Sequence, residues 1–273
     1  MKKIAAILLI FTMLFSFAAC KAEETETPQP SAEPVTQEPA EKRYEELRAE
    51  AGLEDNYHYE ELKTDDGVVR FIVKMTLPKF TDKTCSEEIA SILNYYYEDE
   101  FFEKDLELAE TNKENAKKHM ESKDSDSPWA IQVSYEVRYF DGNYICIVMK
   151  RSFSYGGDAE PVISARCFQL SDADTCSSND FFIEGIDDET KSIILQSIKD
   201  RASTELNPEA NLTEEQLAKI DTAFDPDTGY YITEDGITFF FSKGLVDATQ
   251  FGTYECFFPW NEVDYIYQIP SAE

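Results

Sequence analysis

Histidine is nearly missing from this chain: His58 and His119 are the only two in 273 residues. They are far apart, and neither sits in a cysteine or carboxylate motif. Zinc sites need several His or Cys ligands at short spacing, so no such site is implied. No Cys-x-x-Cys occurs, no Ser-centred nucleophile elbow occurs, and Gly156-Gly157 is not followed by Lys-Ser or Lys-Thr, which excludes a phosphate loop. No cofactor is implied. Basic residues are a minority, 25 against 55 acidic ones, for a net charge of −30. That balance excludes nucleic acid, whose phosphates require clustered Lys and Arg, and a polypeptide lying on anionic lipid.

One long apolar run is present, at the start. Lys2 and Lys3 precede Ile4–Phe17, and Ala18-Ala19-Cys20 follows. This is a lipoprotein signal over residues 1–19, with Phe17 in the place usually held by Leu and Cys20 as the lipidated residue. Acyl chains on Cys20 then hold the protein at the extracytoplasmic face of the cell membrane. A plain secretory signal or an uncleaved anchor are the alternatives, although the run is short for a span of about 20 residues. Removing Lys2 and Lys3 takes the charge from −30 to −32. Residues 20–43 are rich in Pro, Glu and Thr with Val35 as the only large apolar side chain, a disordered tether. The acid either steers a cationic partner or simply keeps an exported protein soluble.

The rest is long enough for a proper core and reads as α+β: an antiparallel sheet packed by a long helix and further helices. It divides into an N-terminal half, 44–182, and a C-terminal half, 183–273, with its centre at 229–260. A short helix covers Arg43–Glu50. Strands follow at Tyr57–Leu62 and Val68–Leu77, with Pro78 as the stop. Thr84 or Ser86 caps a long helix on which Ile89, Leu93, Tyr96, Phe101 and Leu108 recur toward Met120, with a kink. Asp141-Gly142-Asn143 joins strands Ala130–Phe140 and Tyr144–Phe153 in a hairpin. Both faces of the second are apolar, which makes it central. Val162–Leu170 is the next strand. Asp187–Leu206 is a helix with Ile193, Ile194, Ile198 and Leu206 inside, and Thr213-x-x-Gln216 is a capping box that opens another, ending near Ala223. Tyr230–Thr233, Ile237–Phe241 and Tyr254–Pro259 are strands in the centre of the sheet, burying Phe239, Phe241 and Phe257 or Phe258. Val263–Ile269 is an edge strand or a tail.

Tyr231, Gly236, Phe241, Gly252 and Phe258-Pro259-Trp260 stand where a domain of unknown function in bacterial cell-surface proteins has its most recognisable residues. The chain resembles that family over about Val68–Tyr265. It includes the lysozyme-sensing ectodomain of the sigma-V anti-sigma factor and accessory regions of peptidoglycan deacetylases. A second match is Tyr155, Gly157, Ala159 and Pro161, within a Tyr-x-Gly-Gly-Ala-His element where this chain has Asp158 for Gly and Glu160 for His. The resemblance implies a binding or sensing module for a wall-associated ligand, a cationic protein such as lysozyme or a glycan. Its contacts would come from strand-joining loops around Tyr155, Gly157, Asp158 and Glu160 and from Gly244 to Gly252.

Other readings stay open. A wall-modifying enzyme would use two carboxylates as acid and base, and a passive envelope protein would use none. Asp225-Pro-Asp227-Thr-Gly229, and more weakly Asp172, Asp174 and Asp180, hint at calcium. Besides Cys20 there are five cysteines, an odd number that leaves at least one free thiol. Cys146 and Cys256 read as small buried hydrophobes, and Cys167 and Cys176, nine apart across a strand-loop connection, are a candidate pair whose bridging depends on their Cα separation.

Overall fold

The computed structural model describes residues 40–157, 159–182, 186–206, 212–241, 244 and 253–260, with side chains from residue 43. The signal, nearly all of the tether, Asp158, Gly252 and the Val263–Ile269 segment lie outside the described residues.

A helix α1 (Ala40–Glu50) leads into strands β1 (Glu54–Lys63) and β2 (Val69–Lys79). Phe71, Val73, Met75 and Leu77 alternate into the core as the period of two requires. Pro78 does not stop β2 but pairs opposite Asp55. Pairing with the neighbour on its other side ends at Met75, so the missing N–H breaks no ladder there.

Ser86, rather than Thr84, caps helix α2 (Glu87–Tyr97), its hydroxyl accepting from the Ile89 N–H. The expected kink is one π-helical segment, Glu98–Glu103, after which α3 (Lys104–Lys123) continues to a left-handed Asp124. Leu108 is 37% exposed, contrary to expectation, and Asp105 is buried in its stead.

Strands β3 (Trp129–Phe140), β4 (Tyr144–Ser154), β5 (Val162–Gln169) and β6 (Thr175–Cys176) complete a six-stranded sheet in sequential order. It is mixed, not wholly antiparallel: β2 and β3 run parallel. The long helix is the reason, since a strand that returns parallel needs a crossover of this length. Gly142 takes φ 88° in the β3–β4 turn, whose Asp141 carboxylate accepts from the N–H groups of Asn143 and Tyr144.

A 3₁₀ turn (Ser178–Phe181), α4 (Asp188–Glu205) and α5 (Glu214–Ala223) follow, the last with the Thr213/Gln216 capping box formed. On α4, Ile194, Leu195, Ile198 and Ala202 face inward. Ile193 is 54% exposed because its neighbour one position on takes the inward face.

Strands β7 (Tyr230–Ile232), β8 (Gly236–Phe241) and β9 (Tyr254–Pro259) form a separate three-stranded antiparallel sheet instead of joining the first. The two cores explain why. On one face of the six-stranded sheet Ile145, Ile147 and Met149 pack with Val73, Leu93 and Tyr97 beneath the long helix. On the other, Cys146, Val148 and Cys167 pack with Phe181, Ile198, Ile232, Phe239 and Phe258. β4 is therefore covered on both sides, as its sequence predicts, and the small sheet is what covers its second face. Within the small sheet Phe239, Phe241 and Phe258 are buried, and Phe257 is turned outward.

Candidate functional site

A cleft of about 720 Å3 opens where α2, the π segment and the start of α3 arch over β4 and β5. Its helix wall carries Tyr96, Tyr97, Glu100, Phe101 and Lys104, and its strand wall carries Arg151, Phe153 and every residue from Val162 to Arg166. A π segment widens the helix by one residue per turn and recurs at functional sites. Here it swings Glu100 and Phe101 onto the cleft wall.

Asp105 and Arg151 brace this arch. Arg151 Nε donates to Asp105 Oδ2 at 2.9 Å, and its Nη2 donates to the other oxygen, a bidentate fork. Asp105 is 4% exposed. Burial raises its carboxyl above the ordinary carboxylate range, and the Arg151 charge pulls it partly back. A carboxylate held in that fork ties α3 to β4 and is not free to act as an acid. On the helix wall Lys104 pairs with Glu100.

Arg166 differs from the other cations of the cleft. Its Nη1 donates to the Ala165 carbonyl at 2.9 Å, and its guanidinium lies against the Tyr96 hydroxyl. Among the described residues it makes no ion pair. The Tyr97 hydroxyl, on the cleft floor, is buried and among the described residues makes no hydrogen bond. Burial raises its ionisation well above the tyrosine range.

The loop after β4 meets the cleft at its ends. Phe153 and Glu160 line it. Between them Tyr155 is exposed, with its ring tilted against Phe153 at 4.7 Å and edge-on to Trp129 at 4.8 Å. Gly156 takes φ 89°, and the Gly157 N–H donates to Ser154 Oγ at 3.0 Å. Of the sequence-predicted binding residues, the structure brings Glu160 into the cleft. Tyr155 and Gly157 shape the loop beside it, and Gly244 is an exposed turn after β8 with φ 69°. Asp158 and Gly252 are outside the described residues.

Both histidines have partners that sequence spacing does not reveal. His58 Nε2 is 3.1 Å from Glu98 Oε2, and its ring stacks on Phe102 at 4.0 Å. The contact is too poorly aligned to count as a hydrogen bond, and Asn56 donates to the same Glu98 oxygen. His119 Nδ1 accepts from Trp129 Nε1 at 3.2 Å.

The remaining candidates resolve into structural roles. Asp225 caps its own turn, accepting from the Asp227 and Thr228 N–H groups and from the Thr228 hydroxyl, which engages the oxygens that a calcium ion would need. Cys146, Cys167 and Cys176 lie opposite one another across β4, β5 and β6, all buried and all free thiols, so the Cys167–Cys176 pairing is not made. Tyr231, which also faces Arg138, donates from its hydroxyl to Glu255. A Cβ on Gly236 would meet the Phe258 carbonyl oxygen at 2.2 Å, so glycine is required for β8 and β9 to approach.

The cleft residues Tyr96, Glu100, Lys104, Asp105, Arg151 and Arg166 are not among the sequence candidates. One signal for Arg166 was available: it is the lone cation in an otherwise apolar and small-residue strand, VISARCFQ.

Residues 179–261 match the family model described as protein of unknown function (DUF3298). The matched segment runs from the 3₁₀ turn through α4, α5 and the small sheet. No curated protein gives a significant match. Two solved structures are similar. One is a DUF3298 family protein from Pseudomonas aeruginosa PAO1, at 14% identity and TM-score 0.49, covering 79% of this chain and 94% of that one. The other is a member of the same family from Bacteroides fragilis NCTC 9343, at 13% identity and TM-score 0.49, covering 80% and 94%.

Proposed function

We propose that this chain is an envelope lipoprotein whose globular part binds a wall-associated partner, with a cationic protein such as lysozyme as the first ligand to test. The observation that carries the binding reading is the cleft. It is a preformed concavity with mixed apolar and charged walls, braced by an ion pair whose Asp105 is buried, and bordered by the loop in which resemblance to surface-sensing domains suggests the contacts. The cationic ligand is supported by the net charge of −30, and the envelope location by the Lys2-Lys3, apolar run and Ala18-Ala19-Cys20 order.

Location and ligand are tested separately. Cys20→Ala is expected to release the protein from membranes or leave its precursor uncleaved; a variant processed and retained like wild type rules out lipidation. For the ligand, lysozyme is titrated at low salt and again near 0.5 M, where screening acts within a few Å. A 1:1 complex that persists at high salt and weakens when the 155–160 loop is replaced supports the reading. Attraction that vanishes with salt and ignores the loop reduces it to general acidity.

A further inference from the structure

Helices cover one face of the six-stranded sheet from β1 to β5, whereas the small sheet covers the other face only from β4 outward, over Cys146, Val148 and Cys167. On β1, β2 and β3 that second face is turned to solvent. The register fixes which side chains stand on it. On β1, His58 turns toward the helices, against Glu98 and Phe102, so its neighbours Tyr57 and Tyr59 turn the opposite way. Tyr59 lies opposite Lys74, Lys74 beside Gln132, and Gln132 opposite Ser152. In the next row Tyr57 lies opposite Thr76, and Ser134 opposite Lys150. Tyr57 is 56% exposed and Tyr59 46%, and Lys74, Gln132 and Ser134 are exposed with them.

A shallow depression of about 330 Å3 is set into this face, lined chiefly by Lys74, Thr76, Gln132, Ser134, Lys150 and Ser152. Among the described residues no carboxylate lines it, in a chain with 55 acidic residues, and the Lys74 ammonium makes no ion pair or hydrogen bond. Lys150 is held by Glu136, and the Tyr59 hydroxyl donates to Glu61 Oε1 at 2.9 Å, which pins that ring on the surface. The two tyrosines stand about 6.8 Å apart along the strand. Two aromatic faces beside unpartnered hydroxyl, amide and ammonium groups suit a polyhydroxylated ligand. The electron-rich ring faces take sugar C–H groups, and the polar rows take hydroxyls and carbonyls. Protein interfaces are poor in Lys and Ser, and the net charge of −30 excludes nucleic acid. Three interstrand steps separate β1 from β4, about 14 Å, which is room for linked sugars and not for one alone.

From this we infer that the open face is a glycan-binding platform: a strand of linked sugars crosses from β1 to β4, stacks on Tyr57 and Tyr59, and is hydrogen-bonded by Lys74, Gln132 and the Ser and Thr hydroxyls. The cleft opens on the helix side of the same sheet, so the platform is a second surface, and its ligand does not compete with one held in the cleft. A flat surface gains affinity by adding contacts along the ligand, so binding strengthens with the number of sugars. This rests on the reading of the chain as a wall-facing binding module and adds the glycan of the wall as a ligand.

The probe is peptidoglycan stripped of protein and of anionic polymers, co-sedimented with the full chain, with soluble N-acetylglucosamine oligomers as competitors. Binding is expected, with competition that strengthens from the disaccharide to the hexasaccharide. Tyr57→Ala combined with Tyr59→Ala is expected to weaken it at least about tenfold, as loss of two ring contacts does. Tyr57→Phe with Tyr59→Phe should keep most of the binding, because the ring face makes the contact, and Lys74→Leu should weaken it several-fold. All three side chains are on the surface, so an unchanged urea midpoint shows that each variant is folded. Replacing the 155–160 loop should leave glycan binding as it is. No binding to stripped peptidoglycan, full binding by the paired Ala variant, or a loss in the paired Phe variant as large as in the Ala one overturns the proposal. Binding only to walls that keep their protein, or competition by free stem peptides in place of the sugars, overturns it in favour of a protein or peptide occupant. Peptidoglycan binding without lysozyme binding refutes only that choice of partner; lysozyme binding without peptidoglycan binding refutes only the platform.

Discussion

The two sheets solve the same problem in opposite ways. In the small sheet most positions are interior: β7 is buried throughout, β8 in all but one residue and β9 at every second one. In the large sheet, β5 begins exposed at Val162, and β6 pairs only with its Cys167 and Phe168. The family match falls on the closed sheet, at residues 179–261, and stops short of the cleft on both of its walls. The matched segment is therefore one of packing, and the cleft lies where the match is silent. Within that segment, Gly236 lets two backbones touch and Phe241 fills the core. Neither faces the cleft. Resemblance in such a segment transmits the fold and says little about what the rest of the chain has become.

The largest effect expected from this contrast is on thiol chemistry. Cys146, Cys167 and Cys176 lie against the closed sheet. Burial raises the Cys167 thiol well above its ordinary range and pushes Cys176 up to about 12 and Cys256 up to about 11. Thiolate is the reactive form, so these three need an opening of the structure to ionise, and Cys146 is buried beside them. In a Cys20→Ala chain the five remaining cysteines should split into partly exposed Cys85, which a thiol reagent labels first, and the rest, slower in native than in unfolded protein by on the order of 10³-fold or more. Rapid native labelling of Cys167 would show that the small sheet does not seal that face.

Next come substitutions within the closed sheet. Phe241 is 3% exposed, and Phe241→Ala should cost roughly 3–5 kcal/mol by denaturant unfolding. Gly236→Ala forces a methyl onto the Phe258 carbonyl and should cost about 1–3 kcal/mol or more. Phe257, 40% exposed on the same strand as Phe258, is the internal control, and Phe257→Ala should cost well under the Phe241 figure. Equal costs for the two would place β9 in the wrong register.

Much of the closed architecture was legible in the sequence. β4 announced its two covered faces by having no polar alternation, Asp141-Gly142-Asn143 announced its turn, and Thr213 with Gln216 announced a helix start. What was not legible depends on pairing between distant segments. Period two identifies β7, β8 and β9 as strands but does not say whether they extend the first sheet or cover it, and they cover it. The β2–β3 pair is parallel because of what intervenes, not because of either strand's residues. Ile193 and Ile194 both fit the inward face of α4, and only packing chooses between them. The cleft was invisible for the same reason. Asp105 and Arg151 are 46 positions apart, His58 meets Glu98 across 40, and the π segment leaves the apolar recurrence of the long helix intact.

A smaller effect tests the open half through pH. Asp66 follows β1, and its carboxyl is held far below the carboxylate range by the Thr64 hydroxyl first, then by Arg70 and the Val68 N–H. Arg70 is 8% exposed and has Asp66 as its ion-pair partner. A depressed folded value means that the unfolded chain binds the proton more readily, so stability from Asp66 is present above about pH 4 and fades as pH falls below it. Asp66→Asn should therefore destabilise the protein at pH 7, with the difference from wild type shrinking as acid is added. A difference that is the same at pH 7 and in acid would mean that the carboxylate's charge contributes nothing there.

The smallest expected effect is the most discriminating for the comparison. Val162 is 45% exposed at the start of β5, lining the cleft and outside both buried clusters. Val162→Thr keeps the β-branched shape, exchanges one methyl for a hydroxyl, and leaves the β4 pairing with Arg151 in place. On a surface already in water this should change unfolding free energy by no more than about 0.5 kcal/mol. The same exchange cannot be small at a site that something covers, because a hydroxyl buried without a partner costs about 1–3 kcal/mol. Stability measured on the isolated chain thus reports whether this end of β5 is open. A loss above about 1 kcal/mol would mean that another part of this chain lies over β5. A small change would mean that the Val162 side chain faces solvent.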